Sequence, residues 1–168
     1  MAAADLLPSA RHRLASLEAE RDILRTLYAY SHHLDLGEDE RWVGVFTDDG
    51  VIDVHYLPAK LPRARLAEGT RHEQGVRHEG RRQLLAFVAG HDHPPRRFKH
   101  LLIEPRITVD GDTGKGLAYL VRIDDVGGGD LRVTSFGRYL DRYRRLGPGD
   151  WRIAERVVLL EGAFERPY

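Results

Sequence analysis

Tyr30, His32, His33 and Asp35 fall together in LYAYSHHLDLGEDERW, residues 27–42, where a core-facing helical pattern runs out into a turn. A phenol, imidazoles and a carboxylate are the groups of proton transfer. A carboxylate fixes the tautomer of an imidazole and raises the basicity of its other nitrogen, which then serves as a general base. On a helix Ser31 and Asp35 are i, i+4 and share a face, with Tyr30 beside it. Ile23, Leu27, Tyr30 and Leu34 form the core stripe, so Asp35 stands at the border of the buried face. Its carboxylate therefore either caps the next helix, near Gly37 and Glu38, or is partly buried with a partner.

The partner that the chain offers is His100, which interrupts the apolar run Phe98, Leu101, Leu102, Ile103. Side chains alternate along a strand, so Phe98, His100 and Leu102 share one face. An imidazole on a buried face needs a hydrogen bond or costs a few kcal/mol. Alone, His100 reads as a satisfied core residue. Joined to Asp35, it becomes a base. His32 lies i, i+3 from Asp35 and is the one of the two adjacent histidines placed to join a site, since they diverge by about 100°; His33 faces the surface. His55 and Tyr56 follow an apolar strand, and alternation turns one of them inward. Tyr119 and Tyr139 are strand tyrosines whose hydroxyls could enter a cavity, and Trp42 lies on the buried side of a short helix. With Phe98 and Leu102 these are the candidate substrate contacts.

Other clusters carry less. HDH at 91–93, with His72 and His78, lacks the tight ligand spacing of zinc patterns, so no metal is expected. GGGD at 127–130 follows a strand but opens no helix, so it is a hairpin turn and not a phosphate loop. Asp141 and Arg145 read as an ion pair, and the arginine-rich stretch 63–82 as a solvated flap.

These residues must be positioned by the elements around them. Residues 1–8 read as a frayed tail and Ser9 as an N-cap. Two helices or one bent helix then run to Gly37. A short helix covers about Asp39 to Phe46, with Trp42, Val45 and Phe46 buried. TDDG (47–50) reads as a turn and VIDVHY (51–56) as a strand. Residues 57–79 hold prolines, glycines and arginines without periodicity, which predicts a surface excursion or flap. RRQLLAFVAG (81–90) is a third helix. Strand-like runs at 98–109, 115–126, 131–146 and 150–164 are separated by DGDTG, GGGD and LGPGD, which is turn chemistry. Helices first and an antiparallel meander after them predict an α+β fold: a cone-shaped α+β barrel, N-terminal helices packed on a curved, mostly antiparallel sheet. The concave side of such a sheet should keep an apolar cavity for a small molecule.

The 168 residues predict a single domain able to bury roughly 70 % of its unfolded surface. Twenty-six basic residues balance 26 acidic ones, which argues against a nucleic-acid partner. No apolar run reaches membrane-spanning length and no signal pattern opens the chain, so the expectation is a cytoplasmic protein without a membrane partner. The absence of cysteine excludes thiol nucleophiles, thiolate metal sites and disulfides.

Three blocks resemble a known family. YSHHLDLGEDERWVGVFTDDGVIDV resembles the opening of the SnoaL-like branch of the nuclear transport factor 2-like superfamily, where a Tyr precedes an Asp by five residues. HLLIEPRITVDGDTGKGLAYL is similar to that family's histidine strand and hairpin, and GRYLDRYRRLGPGDWRIAERVVLL to its closing hairpin. The resemblance covers about residues 15–165. It implies roles by way of members such as scytalone dehydratase and bile acid 7α-dehydratase: Asp35 orients His100, His100 removes a proton, and Tyr30 stabilises or protonates oxygen. The activity implied is a cofactor-independent lyase or isomerase of dehydratase type on a small apolar oxygenated cyclic compound. The alternatives are a polyketide or secondary-metabolite cyclase using the same base, or a non-catalytic binding or subunit protein. The later strand 131–143 lacks the second histidine of scytalone dehydratase. The resemblance also implies a homo-oligomer, trimer or dimer.

Overall fold

Apolar side chains recur every third or fourth residue through Ala19, Ile23, Leu27, Tyr30 and Leu34, and all five are buried. That stripe makes the long helix α1, Ala3–Leu36, whose buried face packs on the sheet. The computed structural model describes residues 3–56, 75–91 and 97–163. Helix α1 is continuous and begins before the Ser9 predicted as its cap, so residues 3–8 of the expected tail are helical. Its N-terminal half leaves Leu14 and Leu17 exposed.

The helix stops where Gly37 takes a positive φ of 69°, which a side chain would resist. The Glu38 N–H then bonds the His33 carbonyl at 2.9 Å and the Gly37 N–H the Leu34 carbonyl at 3.2 Å, a Schellman ending. Helix α2 (Asp39–Gly44) follows and buries Trp42 and Val43. Strand β1 spans Phe46–Tyr56. TDDG, predicted as a turn, is instead a bulged part of this strand, with pairing to the last strand breaking between Phe46 and Val51. Gly50 is there for close approach: a Cβ would meet the Phe46 Cβ and Thr47 carbonyl at 2.8 Å.

The expected flap is partly a strand. β2 (Val76–Glu79) pairs antiparallel with β1, and 57–74 lie outside the described residues. Helix α3 (Gly80–Ala89) comes next, burying Leu84 and Val88. The predicted meander follows as β3 (Phe98–Asp110), β4 (Thr113–Asp125), β5 (Leu131–Gly147) and β6 (Asp150–Ala163). The six strands lie in the order β2-β1-β6-β5-β4-β3, antiparallel except for the β1–β6 pair. Repeated register breaks bend the sheet; in β3 one falls between Ile103 and Arg106, where Glu104 has φ 49° and Pro105 has no N–H to donate.

The core-facing parity is set by these registers. Phe98, His100 and Leu102 stand beside Asp124, Arg122 and Leu120. Tyr139 stands beside Ala118 and Val158, and Asp141 beside Arg156. The helices cover this face, so the fold is α+β with the site residues between helix and sheet.

Candidate functional site

Asp35 sits one residue before the end of α1, where the buried stripe meets the edge strand β3. Its carboxylate does not cap α2, whose first turn has no side-chain cap. It reaches His100 across 65 residues of chain: Nδ1 lies 2.7 Å from Oδ1, and the His100 backbone N–H donates to both oxygens at 3.2 Å. The carboxylate and the imidazole are 7 % and 5 % exposed. A carboxylate holding Nδ1–H leaves the lone pair on Nε2, and Nε2 has no hydrogen-bond partner among the described residues. Lys99 places its ammonium 3.8 Å from Asp35 Oδ2.

Two further rings stand beside the His100 imidazole. His91, just past the end of α3, has its ring centroid 5.5 Å from that of His100 and 5.7 Å from that of Phe98; Phe98 and His100 are also 5.7 Å apart. Arg122, next to His100 across the β3–β4 ladder, lies over the Phe98 ring at 4.9 Å and brings Nη1 to 3.3 Å from His91 Nε2. A guanidinium can only donate, so His91 Nε2 accepts and the proton sits on Nδ1. Asp124, 1 % exposed, holds Arg122 through Nε at 3.0 Å and Nη2 at 2.7 Å, and also accepts from the Thr134 hydroxyl.

Tyr30 goes elsewhere. Its ring packs against Trp42 at 5.2 Å, Tyr139 at 5.7 Å and Phe46 at 5.9 Å. The Arg156 guanidinium lies 4.0 Å from both the Tyr30 and the Tyr139 ring centroids. Arg156 is fully buried and bound in a fork by Asp141, at 2.8 and 2.7 Å, while the Tyr143 hydroxyl donates to Asp141 at 2.6 Å. Burial raises the Tyr30 phenol above its ordinary value, opposed by the Arg156 charge. Burial raises Tyr139 and Tyr143 further, with the Tyr30 phenol adding to it for Tyr139 and the Asp141 carboxylate for Tyr143. For Arg156 burial is the largest influence and works against the charge, but the Asp141 carboxylate together with the Tyr143 and Tyr30 phenols offsets it, and the pKa ends well above the ordinary one.

The remaining candidates separate. Phe98, Leu102, Trp42 and Tyr139 share the interior face with His100. His32 is exposed on the far side of α1, so it joins no site, and His33 pairs with Glu38 at 2.6 Å. Tyr119 points out from the opposite face of β4, 47 % exposed, because its parity is odd where the core face is even. Of His55 and Tyr56, His55 is the buried one. It lies on the outer face with Asp53, while Tyr56 alternates onto the face of Ile52 and Val54 at the end of β1 and is half exposed. Asp141 pairs with Arg156 and not with the predicted Arg145, whose partner is Asp112. Among the described residues no cluster of three metal-ligating side chains occurs; His72 and residues 92–93 lie outside them.

Around Tyr30 the interior is filled, where a hollow was expected. Trp42, Phe46, Tyr139 and Arg156 fill the interior and are at most 2 % exposed. Clefts of about 260 and 270 Å³ lie along β4–β5–β6 and between α1 and the β6 hairpin, and neither is lined by Asp35 or His100. Sequence reading also missed Arg122, Asp124, Asp141 and Arg156 as buried partners. The available signal was their parity: Leu120, Arg122 and Asp124, like Tyr139, Asp141 and Tyr143, alternate onto the face that also carries apolar residues.

The model of the SnoaL-like domain matches residues 15–157. Among solved structures, a nuclear transport factor 2-like protein with a cystatin-like fold from Novosphingobium aromaticivorans is 22 % identical, with a TM-score of 0.71 over 94 % of this chain and 90 % of that one. A provisional scytalone dehydratase from the same organism is 18 % identical, with a TM-score of 0.65 over 90 % of each chain. ActVI-ORFA from Streptomyces coelicolor is 14 % identical, with a TM-score of 0.64 over 85 % of this chain and 97 % of that one. At these identities the likeness is one of fold. Comparison with curated proteins gives no match. The helix-then-meander order, the cystatin-like fold and a family match spanning most of the sequence lead to one conclusion: the chain belongs to the SnoaL-like domain family.

Proposed function

We propose that this protein is a cofactor-independent lyase or isomerase of dehydratase type, acting on a small oxygenated cyclic compound with His100 as general base. The observation that carries the reading is the 2.7 Å contact between Asp35 and His100 Nδ1, which leaves Nε2 to take a proton. In the proposed step Nε2 removes a proton from carbon next to a carbonyl, and the C–H electron pair moves toward that oxygen. In the lyase case the pair then returns to expel the β-hydroxyl, which takes the proton from the imidazolium and leaves as water. In the isomerase case the proton is returned to another carbon. Asp35 stabilises the imidazolium so formed. Tyr30 stands five residues before Asp35 on α1, about 7.5 Å along the axis. Burial raises the Tyr30 phenol pKa and keeps it protonated, but donation to the developing enolate would require the cluster of Trp42, Tyr139 and Arg156 around it to open. A cyclase would use the same base and differ only in the electrophile that the carbanion meets.

The filled interior favours a second reading, in which Asp35 and His100 are a buried structural pair in a non-catalytic binding protein. Turnover of a panel of hydroxylated cyclic ketones separates the two, with wild type, Asp35→Asn and His100→Ala compared. The first reading expects wild-type turnover that falls about 10²–10⁴-fold in both variants. Turnover that survives both changes near full rate, or none in the wild type over a panel that related dehydratases accept, would overturn it.

A further inference from the structure

A base that takes a proton next to a carbonyl leaves negative charge on the oxygen, and a donor aimed at that oxygen supplies much of the rate. Tyr30 is walled off among Trp42, Tyr139 and Arg156. The cation that shares the face of His100 is Arg122. The two are register partners across the β3–β4 ladder, and directly opposite side chains project to one face about 5 Å apart. The next pair on that face, Leu102 and Leu120, gives base and cation an apolar floor.

Arg122 is held on three sides: by Asp124 at Nε and Nη2, by His91 at Nη1, and by the Phe98 ring against its guanidinium. The Thr134 hydroxyl fixes Asp124 in turn. Asp124 offsets the cost of burying the cation, and the contacts together keep the planar fork in one place. A group fixed in this way needs no rearrangement when charge develops near it. His91 and Arg122 are only half-buried, so this end of the site meets solvent where Tyr30 does not.

We infer that Arg122 is the oxyanion-binding catalytic residue of the proposed reaction, donating to the carbonyl oxygen of the substrate. As His100 Nε2 takes the proton from the adjacent carbon, the C–H pair passes to that oxygen and the fork receives the charge. No proton leaves the guanidinium, which stays cationic throughout. The arrangement suits the chemistry, because the acidic carbon and the carbonyl oxygen are separated by one carbon and the base and cation by one ladder rung. It narrows the substrate class to rings whose carbonyl lies directly beside the acidic C–H. The assignment rests on His100 as the base, but its test reads the cation without turnover.

The probe is 4-nitrophenol, whose phenolate mimics a ring enolate and absorbs at longer wavelength than the phenol. Spectrophotometric titration at pH values on either side of the probe's pKa gives the affinity of each form. Wild type should bind the phenolate about 10- to 100-fold more tightly than the phenol. Arg122→Met should lose that preference while its affinity for the phenol stays within about twofold. Arg122→Lys keeps a charge without the fork and covers a Met variant that fails to fold; it should show an intermediate preference. His100→Ala removes the base and should retain the preference, so a wrong reaction and a wrong oxyanion residue give different results. Lys115→Met, which removes an exposed cation, should match wild type. A wild type that binds both forms alike, or neither, would overturn the inference. So would affinities for the two forms that fall together in the Arg122 variants, as a purely structural role requires, or a preference that disappears in His100→Ala or Lys115→Met.

Discussion

Among the described residues, two buried carboxylate–imidazole pairs lie on opposite faces of one sheet. Asp53 and His55 are two apart on β1, with Nε2 and Oδ1 2.9 Å apart and side chains 5 % and 3 % exposed. By burial and distance the pair matches Asp35–His100. It differs in what else its members touch. The Asp53 carboxylate also faces Arg77 at 3.9 Å, and Arg77 reaches Glu155 at 3.6 Å, so the outer pair is one part of a charge network. The inner pair binds through Nδ1 and its histidine stands among rings instead of opposite charges. Burial plus a carboxylate therefore does not define a base. A carboxylate hydrogen bond to one nitrogen, with the other facing the interior, does.

The strongest way to break this distinction is to remove both imidazoles in turn. His100→Ala should lower kcat/KM about 10²–10⁴-fold, while His55→Ala should lower stability and leave kcat/KM within about twofold of wild type, since no outer-face group meets the substrate. Equal losses of activity in steady-state assays would erase the difference between the pairs.

A third buried ion pair gives a scale for stability. Asp141→Asn leaves the Arg156 guanidinium, at 0 % exposure, without its countercharge, and should cost about 3–5 kcal/mol in urea unfolding. Asp35→Asn keeps an acceptor for the His100 N–H and takes a countercharge only from the solvent-exposed Lys99 ammonium; its cost should be about 1–3 kcal/mol. If the two variants unfold at the same urea concentration, the inner pair is as structural as the Arg156 network and its functional reading weakens.

Alkaline pH probes the interior around Tyr30. The folded-state pKa values of Tyr30, Tyr139 and Tyr143 lie above the unfolded ones. Their contribution is complete below the ordinary phenol range and is lost as pH rises above about 10, where only the unfolded chain ionises. Stability should then fall by about 1.4 kcal/mol per pH unit for each buried phenol, and Tyr139→Phe should make the slope shallower by one such step. A slope unchanged by that substitution in pH-dependent denaturation would mean that Tyr139 is open to solvent.

The smallest effect belongs to the surface pair beside Asp35. The hydrogen bond from His33 lowers the Glu38 pKa, so its contribution is present above the ordinary carboxylate range and disappears as pH falls through the folded-state value. Glu38→Gln should shift the thermal midpoint slightly at neutral pH, and by progressively less as pH falls below the ordinary carboxylate range.

Much of the fold was legible because its signals are local. DGDTG, GGGD and LGPGD lie between strands as turn chemistry requires, and the stripe from Ile23 to Leu34 faces the sheet. TDDG failed by the same logic. Its glycine answers to the Phe46 side chain and the Ile153 carbonyl, neither of which a window of four residues contains. The Val76–Glu79 strand was missed because so short a segment is strand only through its pairing with β1.

The amino-acid sequence by itself determined the order of elements, their faces and the residue types able to move a proton, since hydrogen-bond periodicity and turn preference act over a few positions. Only the tertiary structure decided that Asp35 would meet His100 and Arg122 would stand beside it, and that Arg156 would close the interior Tyr30 occupies. Those contacts depend on where a helix crosses a bent sheet, and bulges at Ile103/Arg106 and Phe136/Gly137 set that bend through packing between residues far apart in the chain.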